Sequence, residues 1–191
     1  MKLTILRHAQ TAGSLHDLYY GVADIPALED ALAELHARAA DFPTAPRLRH
    51  ALAAGTGKGL RTEQPFRAIY GELPHTRLPG LQEMDFGIFE MHSYEELKDD
   101  PAFLQWIQDP EHLPCPGGEC VPEVVARNMA AIAQVLAGEG DAVCVIHGGV
   151  IANLMMQWFG GDRFTYPRKP GTGYTVTFEE GRPVGYAPIP E

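Results

Sequence analysis

Two short apolar runs, LTIL at 3–6 and AVCVI at 142–146, constrain the fold more than any other feature of the chain. Both are rich in β-branched residues and neither alternates cleanly with polar ones, which is the pattern of strands covered on both faces. Such strands need helices to cover them. In ALEDALAELHARAADF, Leu28, Leu32, Leu35 and Ala39 recur at helical spacing until the chain meets Pro43. Residues 58–70 predict another helix, with Leu60, Phe66 and Ile69 on its buried face and a bend or end at Pro65.

Further along, Ser93 and Glu96 make a capping-box pair that opens a short helix, and PAFLQWIQ follows with Pro101 at its first position. PCPGGEC at 114–120 reads as a loop. VPEVVARNMAAIAQVLAG then predicts a helix ending at Gly138, and a last helix follows Gly149 through Trp158. The tail, TGYTVTFEEGRPVGYAPI, reads as two strands around Glu-Gly. Strands alternating with helices imply an α/β layer fold with a largely parallel sheet. Without an internal repeat, low-complexity tract or linker, residues 1–191 are expected to form a single domain.

Composition narrows the partners. A formal charge of −10 argues against nucleic acid or an anionic membrane as the main partner, because the average surface repels both. An anionic substrate therefore needs a local cationic pocket. Cys115, Cys120 and Cys144 cannot all pair and include no CxxC, which favours a reducing, cytoplasmic setting. MKLTIL is too brief for a signal-peptide core, and no run approaches a membrane span. The eight histidines include no HxH or HExxH pair, so neither a metal nor another cofactor is expected. GTGKGL at 55–60 looks like a phosphate-binding P-loop but fails on detail. Leu52 stands where its first glycine belongs, and Gly59 where Ser or Thr would hold magnesium.

In open parallel sheets, ligands collect just beyond the carboxyl ends of the strands. Arg7 and His8 follow the first apolar run; His147, Gly148 and Gly149 follow the second. If those strands are neighbours, two histidines distant in sequence converge on one crevice. The paired glycines allow close backbone approach to a ligand and can open a helix whose N-terminus favours an anion. Arg61, in GLRTEQ, and Glu83, in LQEMDFGIFE, would singly read as solvated surface residues, but their combination with the two strand ends calls for a joint explanation. Arginine forks grip phosphate oxygens bidentately, and a histidine can attack phosphorus. Trp106 and Trp158 fall in helical apolar patterns, suited to core or pocket wall.

These blocks resemble the histidine phosphatase superfamily, the group that includes phosphoglycerate mutases and many small phosphatases. Arg7-His8-Ala9-Gln10-Thr11 is similar to its RHGxT signature, and Arg61-Thr62-Glu63-Gln64 to its second arginine block. Leu81, Glu83, Phe86, Gly87 and Glu90 match LxExxFGxxE; Pro116–Glu119 with Arg127 match the PGGE loop and its downstream arginine; His147–Gly149 match HGG. The blocks occur in family order and span nearly the whole chain. The resemblance implies a phosphoglycerate mutase-like three-layer sandwich, with a mostly parallel central sheet flanked by helices.

It also implies roles: His8 as nucleophile, Glu83 as proton donor and then base, and His147 as a further catalytic group. Phosphate is then held by Arg7, Arg61, His147, Gly148 and Ser14. The implied activity is metal-independent hydrolysis of a small phosphorylated metabolite through a phosphohistidine. The compact segment at 92–119 favours the small bacterial α-ribazole phosphatase type, with α-ribazole 5′-phosphate as the leading substrate. A phosphoglycerate mutase or broad-specificity sugar phosphatase is the runner-up, and a non-catalytic phospholigand-binding module is the alternative of another class. A homodimer remains open.

The chain also departs from the family pattern. Ala9 stands for the usual glycine, Ser14 for an asparagine, Gly57 for a serine, Met91 for a glycine and Cys120 for a serine. If position 9 needs a positive φ, its alanine carries strain of roughly 1 kcal/mol.

Overall fold

The computed structural model describes residues 1–43, 60–162, 164–166 and 169–189, and the backbone of 49–53. In chain order the first half comprises β1 (Lys2–Arg7), α1 (Ala12–Leu15), β2 (Leu18–Tyr19), α2 (Glu29–Ala37), β3 (Arg49–Ala53), α3 (Leu60–Tyr70) and β4 (Thr76–Leu78). After these come β5 (His92–Ser93), α4 (Tyr94–Leu97), α5 (Pro101–Gln108), α6 (Val121–Leu136), β6 (Ala142–Ile146), α7 (Gly148–Phe159), β7 (Gly173–Glu179) and β8 (Arg182–Pro188). Short 3-10 turns lie at Ala39–Asp41, Pro79–Leu81 and Gly87–Phe89.

The main sheet has the order β4-β3-β6-β1-β7-β8. Its first four strands are parallel, and β7 and β8 add an antiparallel edge. The two apolar runs are immediate neighbours at its centre, with Arg7 opposite Ile146. Alternation within them builds a core on each face. Leu3, Ile5, Cys144 and Ile146 pack with Ile132 and Val135 of α6 and Val150, Ile151 and Leu154 of α7. Leu6 and Val145 face the other way, onto Leu35 of α2 and Phe66 of α3. The result is a three-layer sandwich whose mixed sheet has a parallel centre flanked by helices.

Beyond the carboxyl end of the sheet lies a third cluster, in which Met84, Phe89, Leu97, Phe103, Trp106, Cys115 and Val124 pack together. It is built largely from residues 84–124, and the small β2–β5 sheet ties it to the segment after β1. Trp106 belongs to this cluster, while Trp158 packs against the main core beside Phe178. Among the described residues no helix is long and apolar enough to cross a membrane.

Most expected helices form, with differences at their ends. The helix expected over 27–42 is α2 followed by the 3-10 turn at Ala39–Asp41. Pro65 does not end α3: the helix runs through it to Tyr70, with Pro65 buried. Proline removes one intrahelical bond there, and tertiary burial of that face outweighs the loss. Ser93 and Glu96 form the reciprocal cap, and Pro101 sits at the first turn of α5 behind the Asp100 cap. The tail is the expected hairpin, with Glu180 and Gly181 both at positive φ in its turn. The P-loop lookalike up to Gly59 and the departure at Gly57 lie outside the described residues.

At position 9 the condition for strain is not met. Among described non-glycine residues positive φ occurs at Asp17, Met91 and Glu180, and Ala9 instead buries its methyl group with Leu6, Phe42 and Phe66. The left-handed conformation falls at Met91, the other substitution for a family glycine, with φ of 63°.

Candidate active site

The chain leaves β1 on one face of the sheet and β6 on the other, so a crevice opens between their carboxyl ends. The backbone N–H of His8 donates to Ile146 O at 2.9 Å, extending the ladder by one residue and setting His8 beside His147. Their rings meet edge to face with centroids 5.3 Å apart, and both residues are almost wholly buried.

The tautomers follow from the partners. His8 Nδ1 lies 2.7 Å from Ala9 O, and a carbonyl only accepts, so Nδ1 carries the proton and Nε2 keeps its lone pair. Arg61 Nε donates to His147 Nδ1 at 3.2 Å, which leaves the proton of neutral His147 on Nε2. One imidazole thus offers a nucleophilic nitrogen and the other a donor.

Arg61 enters from the first turn of α3 and is buried, with its guanidinium over the Tyr20 ring. Its Nη1 donates to Ala23 O and its Nη2 to Gly21 O at 2.5 Å. Together with Nε these bonds use three of its five N–H groups and leave two for a ligand. Arg7 lines the same cleft at the end of β1, close to Gly148, where an added Cβ would stand 3.4 Å from Arg7 Nε.

Glu83 reaches in from the segment after β4. Its carboxylate accepts from Gly149 N at 2.8 Å and Met84 N at 3.1 Å, so the acidic group is seated on the first turn of α7. The expectation that the paired glycines serve an anion therefore acquires a second meaning: Gly149 holds the carboxylate, while Gly148 lies against Arg7. A Cβ on Gly149 would fall 2.4 Å from Glu83 Oε1. Gly149→Ala is expected to push Glu83 aside and lower kcat/KM by about 100-fold, the usual cost of a misplacement near 1 Å. Steady-state kinetics on folded variant protein checks it.

Behind Glu83 stands Arg127, whose guanidinium donates to Gly80 O, Gln82 O and Glu83 O and pairs with Glu119. Glu119 also accepts from Asp85 N at 2.9 Å. The PGGE loop and its downstream arginine therefore brace the segment that carries the acid.

The structure lines the cleft with Arg7, His8, Arg61, Glu83 and Gly148, holds His147 against the His8 ring and Arg61 although it is not part of that lining, and places Ser14 elsewhere. Ser14 Oγ accepts from Thr11 N and donates to Thr11 O, completing the reciprocal cap of α1, and it is absent from the cleft lining. Its spacing from Thr11, T-x-x-S, is the local signal for this capping role. Sequence reasoning missed Tyr20 and Asn153, both of which line the cleft. Tyr20 OH bonds Thr11 Oγ1 at 2.9 Å and Asn153 bonds Asn128, so each is a polar wall residue held from behind.

Electrostatics keeps both imidazoles neutral. Burial, then the charges of Arg7 and Arg61, hold His8 well below the ordinary histidine value, despite the opposing Ala9 carbonyl. His147 is lowered by burial first and then by Arg61, His8, Arg7 and Arg127. Unfolded histidines titrate near 6.5, so below that pH the unfolded chain binds more protons than the folded one. Stability is accordingly complete above about pH 6.5. It is expected to fall on acidification by up to roughly 1.4 kcal/mol per pH unit per histidine until the folded values are reached. Urea unfolding at stepped pH measures the slope, which should flatten in His8→Asn. Burial also lowers Arg61, against the charges of Tyr20, Glu83, Glu90 and Asp24.

The cleft, about 480 Å³, continues past these groups into the third cluster. Tyr19, Phe86, Trp106, Ile107, Val121 and Val124 form an apolar wall there, and Phe164 stands at the mouth with 83% of its surface exposed. Among the described residues no group of three His, Cys, Asp or Glu is placed to hold a metal ion.

The sequence model of the histidine phosphatase superfamily (branch 1) matches residues 3–184. A search of curated proteins returns no match. Among solved structures, an Escherichia coli protein provisionally described as an alpha-ribazole-5′-P phosphatase superposes with a TM-score of 0.85 at 20% identity, over 96% of this chain and 93% of that one. The Shigella flexneri alpha-ribazole phosphatase gives 0.83 at 20% identity, with the same coverages. A phosphoglycerate mutase from Thermus thermophilus gives 0.74 at 22% identity, over 97% of this chain and 98% of that one. These likenesses establish a phosphoglycerate mutase-like fold.

Proposed function

The chain belongs to the histidine phosphatase superfamily, a family of phosphatases and mutases, and from that premise we propose that it hydrolyses a small phosphomonoester through a phosphohistidine. The observation that carries the proposal is the unprotonated Nε2 of His8 in a cleft shared with Arg7, Arg61 and Glu83. Arg7, the two remaining N–H groups of Arg61 and His147 Nε2–H hold the phosphoryl oxygens and stabilise the charge that builds on them.

His8 Nε2 attacks phosphorus, the P–N bond forms and the P–O bond to the alcohol breaks. Glu83, which enters the cycle in its protonated form, delivers that proton to the departing oxygen. With the alcohol gone, Glu83 takes a proton from water, whose oxygen attacks phosphorus as the P–N bond breaks. Inorganic phosphate leaves, and His8 and Glu83 return to their starting forms.

The apolar wall supports a phosphatase with a bulky, uncharged alcohol. A phosphoglycerate mutase must grip a second phosphate and a carboxylate, to which aromatic and aliphatic side chains offer little. α-Ribazole 5′-phosphate, with its neutral aromatic base, suits such a wall and is the leading candidate. The test is turnover of a chromogenic phosphomonoester with and without EDTA, followed by a panel containing α-ribazole 5′-phosphate and phosphoglycerates. Activity surviving EDTA with preference for the aromatic substrate supports the reading. Metal-dependent turnover contradicts the mechanism, phosphate exchange between phosphoglycerates selects the mutase, and inactivity across the panel selects the binding module.

A further inference from the structure

Glu90 takes part in no step above, yet its carboxylate accepts four backbone N–H groups next to the cleft. Oε1 accepts from Gly21 at 2.7 Å, Val22 at 3.2 Å and Phe86 at 3.1 Å, and Oε2 from Ala23 at 3.3 Å. Three of these donors belong to the loop whose carbonyls receive Arg61. The link is covalent as well as spatial. Gly21 C=O and Val22 N–H are two ends of one planar trans peptide and point in opposite directions. With the Val22 N–H held by Glu90, the Gly21 oxygen is aimed the other way, at Arg61 Nη2.

The loop is pressed against the acid-bearing segment as well. A Cβ on Gly21 would lie 1.5 Å from Met84 O, an overlap only glycine avoids, while Phe86 N from that same segment shares Glu90 Oε1. At the loop's far end, Asp24 Oδ1 accepts from Leu60 N at the start of α3, the helix that carries Arg61. One carboxylate thus ties the arginine's cradle to the segment holding Glu83.

We propose that Glu90 is a positioning residue for the phosphoryl-transfer site, holding loop 21–23 so that its carbonyls aim Arg61 at the phosphoryl group and at His147. The inference rests on the reading of Arg61 as a phosphate ligand. A carboxylate suits this role because both oxygens only accept. A glutamine would offer one accepting oxygen and turn an NH2 group toward backbone N–H donors.

A double-mutant cycle tests it. Inorganic phosphate binding by calorimetry, and kcat and KM for a chromogenic phosphomonoester, are measured in wild type, Glu90→Gln, Arg61→Ala and the double variant. Circular dichroism establishes that each is folded. Glu90→Gln is expected to weaken phosphate binding about tenfold and lower kcat/KM about 100-fold, as for a misplaced binding group. In the Arg61→Ala background the same change should alter neither by more than about twofold, because its target is gone. Glu90→Asp keeps the charge but shortens the reach; it should fall between wild type and Glu90→Gln, and it replaces that variant if the glutamine form does not fold.

Equal losses in both backgrounds, or wild-type binding and turnover in a folded Glu90→Gln, overturn the inference. The failure of the phosphatase reading looks different. A wild type that binds phosphate but hydrolyses nothing overturns that reading, while the binding arm of the cycle still decides the role of Glu90.

Discussion

Replacing His8 with alanine is expected to lower kcat by about 10⁴ or more, because the covalent route disappears and only electrostatic assistance to water remains. The variant should still fold: the backbone N–H at position 8 keeps its bond to Ile146 O, and the void borders the cleft rather than the sealed core. Removing an imidazole held neutral by burial also removes one source of acid sensitivity. The decisive measurement pairs kinetics with chemical trapping. Wild type incubated with a labelled phosphomonoester and quenched in alkali should retain a phosphohistidine that acid releases, and His8→Ala should retain none. Turnover within tenfold of wild type, or an undiminished acid-labile label in the variant, would remove His8 from the mechanism.

Glu83→Gln should produce the second largest effect, and one that depends on the leaving group. With a poor leaving group such as an alkyl alcohol, loss of the proton donor is expected to cost about 10² to 10⁴ in the first step. A nitrophenolate departs without that proton, so phosphorylation of His8 should survive much better, and phosphoenzyme should accumulate because the base for water is missing. The expected signature is a burst of nitrophenol followed by a slow steady state. A uniform loss across leaving groups, without a burst, would assign Glu83 a purely structural part. Glutamine can keep an accepting oxygen near Gly149 N, which limits collateral damage at the first turn of α7.

The residues behind these two predictions were legible in the sequence on different grounds. Arg7 ends, and His8 and His147 directly follow, strands whose burial on both faces is written in their apolar runs, and strand ends in a parallel sheet are where ligands collect; Glu83 carries no such signal and is read from its motif. The tail hairpin, β7 and β8, was legible from its turn and alternation, but the four remaining strands left no such trace. β3 reads RHALA, with two polar residues at its start, and β4 is the three-residue TRL; both are held by parallel ladders to neighbours far along the chain. The two-residue strands β2 and β5 are too short for any period.

Legibility failed in the site where the active atoms belong to the backbone. Nothing in the side chains of Gly21 and Ala23 announces that their carbonyls hold Arg61. Ser14 erred the opposite way: its hydroxyl fits a phosphate ligand by chemistry, but a donor three residues upstream claimed it for a helix cap. At Met91 the departure from a family glycine coincides with a positive φ, whereas at Ala9 it does not, and letters alone do not separate those cases.

The cleft has two makers. The groups that would meet phosphorus are rooted in or beside the main sheet, while the far wall belongs to the cluster built largely from residues 84–124 and joined to the strand-end segment by the small β2–β5 pair. On the proposed reading, grip and selectivity are separable inheritances. A chimera that exchanges the outward-facing wall, around Ile107 and Val121, while keeping Glu83, Glu90, Glu119 and Arg127, would carry the same chemical engine with a different socket for the alcohol.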